Sequence, residues 1–197
     1  MHRNSWMMFE KHARPLFRAD MRVLEIAPDK VPSVYQKIVD QPTIRWETLE
    51  LAPAANITYV ASNEYSFPIP DNTFDIVVSG NVIEHVKKIW TWMRELTRVT
   101  KPGGWVVTVN PVNWAYHANP VDCWRIFPDG MRALHEDAGL TTTVAVYDHL
   151  DPTPMNNPSA YPLLKQGLRR LLGKTAYIPW YCEAAIDTLS IGQKNAT

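Results

Sequence analysis

The run from Pro68 to Gly104 constrains this chain more than any other part of it. It reads PIPDNTFDIVVSGNVIEHV, then an amphipathic stretch, then ELTRVTKPGG, and is followed by WVVTVN. FDIVVSG (74–80) has three adjacent apolar residues, Ile76, Val77 and Val78, without alternation. That pattern belongs to a strand covered on both faces, which a parallel sheet provides. Val82, Val86, Ile89, Met93 and Leu96 then step at helical spacing, which predicts one helix over 82–99 stopped by KPGG.

The same alternation extends in both directions. Residues 5–19 read as an N-terminal helix. MRVLEIA (21–27) is a second continuous apolar strand, and SVYQKIV a short helix with Ser33 as N-cap. IRWETLEL (44–51) and ITYVAS (57–62) are separated only by PAAN, so the helix between strands two and three is absent or reduced to a turn. Asp129 is the expected N-cap of the helix ending at Gly139; TTTVAVYD (141–148) and AAIDTLSIGQK (184–194) are late strands, and 161–173 is helical. Strands alternating with helices predict an α/β fold: a Rossmann-like, doubly wound, mostly parallel sheet of seven strands. Residues 1–197 read as one domain, with 1–20 as its N-terminal helix and 111–128 and 149–162 as loops over the site.

Composition narrows the partners. Lys plus Arg equals Asp plus Glu, at 20 each, so no global positive field draws nucleic acid. The basic cluster Lys165, Arg169, Arg170 and Lys174 reads as a solvated helix face. No stretch has the apolar length of a membrane span. Two cysteines, Cys123 and Cys182, lack metal or disulfide spacing, and Cys123 reads as a small buried hydrophobe. A reducing cytoplasm is the expected setting, and the chain is a monomer or homodimer. Trp90 and Trp92 are read as exposed, covering either the sheet or a dimer surface.

LEIAP at 24–28, the Pro68–Gly104 run and WVVTVN occur in an order that resembles the type 11 branch of class I S-adenosylmethionine-dependent methyltransferases. The resemblance spans roughly residues 1–140. It implies S-adenosylmethionine as cofactor, held beyond the carboxyl ends of the strands. The family pattern E-x-G-x-G stands here as Glu25-Ile26-Ala27-Pro28-Asp29, so both glycine positions carry larger residues. Either the loop takes another path or cofactor affinity falls. Glu50, 25 residues after Glu25, is expected to grip ribose hydroxyls. Asn63 and Glu64 stand where the family contacts adenine, with Tyr65 or Phe67 beside the purine. Ser79, Gly80 and Asn81 stand where it meets the methionyl part, with Gly80 small enough for close approach. No nicotinamide fingerprint G-x-G-x-x-G follows strand one.

The acceptor side centres on NPVNWAYHANPVDCWRIFPDG (110–130). His117 is the candidate base, Asp122 its orienter, and Trp114, Tyr116, Trp124 and Arg125 candidate substrate contacts. Arg125 either holds an anionic group or braces the loop through Asp122. His85, placed at a helix start, is a further catalytic candidate, and His149 a weaker one. Some relatives carry a metal-binding E-x-x-E-H at this point; Asn81-x-x-Glu84-His85 has one carboxylate fewer, so no metal is expected. This loop resembles that of methyltransferases from bacterial glycan and secondary-metabolite gene clusters, which implies O-methylation of a sugar or small-molecule hydroxyl. The alternatives are an N- or C-methyltransferase and a non-catalytic S-adenosylmethionine-binding protein.

Overall fold

The computed structural model describes residues 3–118, 120–150 and 186–196. The expected helix over 161–173, the basic cluster beside it, Cys182 and most of the 149–162 loop lie outside the described residues. The elements in order are α1 (Arg3–His12), β1 (Arg22–Ile26), α2 (Val34–Val39), β2 (Arg45–Glu50), β3 (Tyr59–Val60), β4 (Phe74–Gly80), α3 (Ile89–Val99), β5 (Thr100–Pro111), α4 (Pro128–Asp137), β6 (Leu140–Asp148) and β7 (Asp187–Lys194). The sheet has seven strands in the order β3-β2-β1-β4-β5-β7-β6. β7 runs antiparallel between β5 and β6, and the remaining pairings are parallel. No helix among the described residues is long and apolar enough to cross a membrane.

Each central strand feeds two cores. Leu24, Ile26, Val77 and Val106 point to one face, where Trp92, Met93 and Leu96 of α3 and Met131 and Leu134 of α4 close over them. Val23, Ile76, Val78 and Val107 point to the other, under Met8 and Phe9 of α1 and Tyr35 of α2. β4 is the strand buried on both sides that its apolar run predicts. Each such aliphatic side chain contributes about 1.5–3 kcal/mol when removed from water. The FD of the Pro68–Gly104 run is structural: Asp75 accepts the Arg22 N–H at 2.7 Å and pairs with Lys101 at 2.7 Å. Asp71 pairs with Arg98 at 2.6 Å.

Several boundaries differ from expectation. The N-terminal helix stops at His12, and a 3-10 turn at Arg14–Leu16 accommodates Pro15. The predicted helix over 82–99 is split into a 3-10 turn, Ile83–His85, and α3. His85 therefore sits in a turn before the helix, not at its first residues. The cause is long-range: the Cys123 N–H donates to the Glu84 carbonyl at 2.7 Å, and the Trp124 indole N–H to the Val86 carbonyl at 2.8 Å. Those carbonyls are thereby withheld from an i→i+4 ladder.

KPGG is not the helix stop. α3 ends at Val99, and Thr100 to Gly104 open β5 with a register shift against Phe74 and Ile76. The end of α3 is capped instead from β7: the Lys194 ammonium donates to the carbonyls of Thr97 and Thr100, each at 2.8 Å. Phe127, not Asp129, is the N-cap of α4, because Pro128 occupies its first position with a fixed φ. Trp92 is buried at 1% exposure, whereas Trp90 is 45% exposed and packs edge-on against Trp124 at 5.8 Å. Cys123 is an exposed free thiol.

Gly80 is fixed by packing across the sheet. A Cβ there would stand 2.1 Å from the Tyr35 hydroxyl and 2.5 and 2.7 Å from its ring carbons. Gly80→Ala is expected to destabilise the protein by about 1–3 kcal/mol through this overpacking, read from urea unfolding. Adding Tyr35→Phe should recover only part, since the ring carbons remain.

Candidate active site

Open parallel sheets present their polar groups beyond the strand carboxyl ends, and here the residues after β1, β2 and β4 meet there. After β1, Ala27 has φ +48°. The chain thus keeps the left-handed path that a glycine would supply, at a cost of about 1–2 kcal/mol for an L-residue. The Ala27 N–H is held by the Leu49 carbonyl of β2 at 2.9 Å, which anchors that path. Pro28 follows, half-buried. The other path expected for this loop is not taken at Ala27, whose backbone keeps the left-handed φ that a glycine would adopt.

Glu25 is 2% exposed, and one of its oxygens accepts from the Ser33 hydroxyl at 2.6 Å and the Trp46 indole N–H at 2.7 Å. It ties β1 to α2 and β2 from beneath the site. Burial, opposed by those two donors, pushes its carboxyl up to about 7. Glu50, at the end of β2, is half-buried, and its carboxylate accepts the Leu51 N–H at 3.3 Å. Asn63 turns the chain after β3: its side-chain oxygen accepts the Tyr65 N–H at 2.8 Å. Glu64 stands beside it, half-buried. Tyr65 lies under the Lys88 ammonium at 5.5 Å. Phe67 belongs to the core at 5% exposure, so it is not a purine platform.

After β4, Asn81 also takes a left-handed φ of +56°, with its N–H on the Val109 carbonyl at 2.8 Å. The Ser79 hydroxyl, the Asn81 side-chain oxygen and the Tyr35 hydroxyl are buried without a hydrogen-bond partner among the described residues. Buried orphan polar atoms are costly. The Ser79 hydroxyl and the Asn81 side-chain oxygen lie at the end of β4, where a cofactor's amino and carboxylate groups are expected, and suit a polar ligand; Glu50, at the end of β2, accepts the Leu51 N–H through one oxygen. Tyr35 is a residue that sequence reasoning missed. Nothing local marks it, because its partner Gly80 is 45 residues away.

The acceptor-side loop is organised by Asp122, whose side chain is 2% exposed. It receives both Arg125 guanidinium nitrogens, one at 2.7 Å, and the His117 N–H at 2.8 Å. The adjacent guanidinium holds the Asp122 carboxyl well below the usual range, against the effect of burial. Arg125 also donates to the carbonyls of Trp114 and Ala115 at 3.4 and 3.3 Å. Of its two expected roles, bracing the loop is the one the contacts show. Tyr116 is 78% exposed and Trp114 42%, while the Trp124 indole N–H is spent on Val86.

The loop brings His117 to His85: the ring centroids are 5.1 Å apart and the planes nearly perpendicular. Close to both is Glu84, 1% exposed, with neither carboxylate oxygen hydrogen-bonded. Burial raises its carboxyl to about 7. The sequence reading meets Glu84 only within the shortened motif Asn81-x-x-Glu84-His85 and gives it no site role. His149 lies apart, exposed, with its N–H on Asp148 at 2.8 Å.

Glu25 gives the site a pH signature. Below the ordinary value of 4.5 both folded and unfolded chains hold its proton, and no penalty applies. Between 4.5 and about 7 the unfolded chain releases it and the folded chain does not. Folding stability therefore falls as pH rises through that window. Glu25→Gln should flatten this decline by up to ~3 kcal/mol in urea titrations at pH 5 and pH 8.

The family described as methyltransferase domain matches residues 13–108. An uncharacterised methyltransferase of Schizosaccharomyces pombe is 43% identical over 60 residues, which is 30% of this chain and 22% of that protein. A demethylmenaquinone methyltransferase of Anoxybacillus flavithermus is 46% identical over 52 residues, 26% of this chain and 22% of that protein. This chain thus spans about a fifth of the length of the curated relatives it matches. The crystal structure of an S-adenosylmethionine-dependent methyltransferase from Archaeoglobus fulgidus superposes with a TM-score of 0.63 at 13% identity, covering 96% of this chain and 94% of that one. Residues 13–108 match the methyltransferase domain family, and the strand order and polar strand ends agree with the fold of the S-adenosylmethionine-dependent methyltransferase it superposes on.

Proposed function

We propose that this protein methylates a hydroxyl oxygen of a small molecule, a sugar or another polyol, in the reducing cytoplasm that its two widely spaced cysteines imply. The observation that carries the reading is the convergence of Glu84 and His85, four and five residues beyond the end of β4, with His117 and Asp122 on the loop after β5. An acceptor oxygen must lose a proton, and a nitrogen or carbon acceptor makes no comparable demand. A cluster of two imidazoles and a buried carboxylate answers that need.

When bound, S-adenosylmethionine supplies an electrophilic methyl group on a positively charged sulfur. The protein's own residues do the remaining work. Glu50 accepts hydrogen bonds from ribose hydroxyls, and Asn63 with Glu64 borders the base. Ser79, Gly80 and Asn81 present small or unpartnered groups to the amino-acid end, beside Ala27 and Pro28. The Asp122 carboxylate holds His117 by its backbone N–H at 2.8 Å and lies 3.3 Å from its Nδ1, which leaves Nε2 to face the acceptor. Trp114 and Tyr116, both exposed, supply flat apolar faces of the kind that cover sugar rings. Proximity and exclusion of water provide most of the rate in such a displacement.

Calorimetric titration with S-adenosylmethionine and with S-adenosylhomocysteine tests the cofactor half, and absence of binding to both would end the reading. Glu50→Ala is expected to weaken that binding about tenfold or more, a loss of about 1.4 kcal/mol. In an acceptor screen with labelled cofactor, His117→Ala should lower turnover by roughly 10²–10⁴-fold and leave cofactor affinity near wild type. Equal losses of cofactor affinity in the two variants would show that the two halves of the site are wrongly assigned.

A further inference from the structure

We propose that Glu84, His85 and His117 form a site for one divalent transition-metal ion of the zinc type. One ligand atom from each residue lies within 4.8 Å of those of the other two. The three arrive from two places, the turn after β4 and the loop after β5, so the site exists only in the folded chain.

The carboxylate supplies the charge. Glu84 is 1% exposed, and both of its oxygens are without a hydrogen-bond partner. Arg125, whose charge acts on Glu84, is paired with Asp122. An enclosed carboxylate with no partner is unfavourable, and a cation removes that penalty directly.

The histidines supply orientation. His85 places Nδ1 against the Val121 carbonyl. His117 places Nδ1 3.0 Å from the Ala115 carbonyl and 3.3 Å from Asp122 Oδ2. All three neighbours accept hydrogen bonds and none donates, which assigns the proton to Nδ1 in both rings. Each Nε2 then carries a lone pair. Metal-ligating histidines are held in this manner, by a carbonyl or carboxylate on the far nitrogen.

Spacing agrees with an ion between the groups. His85 Nε2 lies 3.8 Å from Glu84 Oε1, beyond hydrogen-bond range. In a tetrahedral site with bonds of about 2.0–2.1 Å, ligand atoms stand about 3.3 Å apart. Loading therefore draws the ligand atoms together by no more than about 1.5 Å, the difference between 4.8 and 3.3. Two imidazoles with one carboxylate select a borderline ion such as Zn²⁺ over Mg²⁺ or Ca²⁺, which prefer oxygen. Three protein ligands leave a position open to an oxygen ligand. Identifying that oxygen with the acceptor hydroxyl rests on the methyltransferase reading; the site itself does not. With the ion bound, the His117 Nε2 is a ligand and not the base, and the ion itself acidifies the bound oxygen. The string Asn81-x-x-Glu84-His85 falls one carboxylate short by itself, and the loop makes up the number with the nitrogen of His117.

The test uses the full chain, stripped with a chelator and titrated with Zn²⁺ alone against a chromophoric competitor. One Zn²⁺ per chain is expected. Glu84→Gln, His85→Ala and His117→Ala should each weaken binding tenfold or more, and the exposed His149→Ala should not. Co²⁺ in place of Zn²⁺ should give the visible absorption of a four- or five-coordinate ion, lost in the same variants. Circular dichroism separates loss of the site from loss of the fold, and half-buried His117→Ala remains informative if a variant at buried Glu84 unfolds. The proposal is overturned if the wild type takes up no Zn²⁺, or binds it no more tightly than the Glu84→Gln/His117→Ala double variant. Calorimetry with S-adenosylmethionine on the same stripped protein reads the methyltransferase proposal separately: binding there without Zn²⁺ uptake removes the metal site alone.

Discussion

A parallel sheet covered on both faces has nowhere to put polar chemistry except at its strand ends, and that constraint organises this molecule. Ile76, Val77 and Val78 of β4 are fully buried, as are their neighbours Val23 and Leu24 in β1 and Val106 and Val107 in β5. Their register aligns Leu24, Val77 and Val106 across three strands. The polar residues that follow these strands are thereby brought to one rim. Glu50, Ser79 and Asn81 arrive there because β2, β1 and β4 run parallel in matched register.

The second organising contact is the Asp122 carboxylate. A loop rich in proline and aromatic residues does not hold a histidine in place by itself. The pair with Arg125, the bond to the His117 backbone and the carbonyls tied to Arg125 give this loop an internal frame. The frame then reaches across to β4's following turn through Cys123 and Trp124. One consequence is local: the turn is 3-10 and not α-helical, because its carbonyls are claimed from outside. The other is chemical, since the same contacts bring His117 alongside Glu84 and His85.

Much of this was legible in the residues. The continuous apolar run 74–80 has the same bounds as β4, and Ser33 caps α2 as its position predicts, accepting the Gln36 N–H at 3.1 Å. The missing helix between β2 and β3 followed from a four-residue gap. What failed was whatever depended on distant neighbours. KPGG carries a strong local turn signal, yet lateral pairing with β4 extends β5 through it. Trp92 was read as exposed, although it falls on the stripe shared by Ile89, Met93 and Leu96. The pairing of Asp122 with Arg125, three residues apart, was open to inspection; the approach of Glu84 to His117, 33 residues apart, was not. Tyr35 against Gly80 belongs to the same class of contact.

Ala27 carries a further lesson about how such chains are found. A pattern written as E-x-G-x-G records the cheapest residue for a left-handed turn, not the turn itself. Here an alanine pays the torsional penalty and the neighbouring Leu49 carbonyl keeps the turn in place. Proteins in which the surrounding sheet enforces the path can drift away from glycine and keep the shape. Searches keyed to the letters will pass over them, while those keyed to strand order and dihedral angles will not.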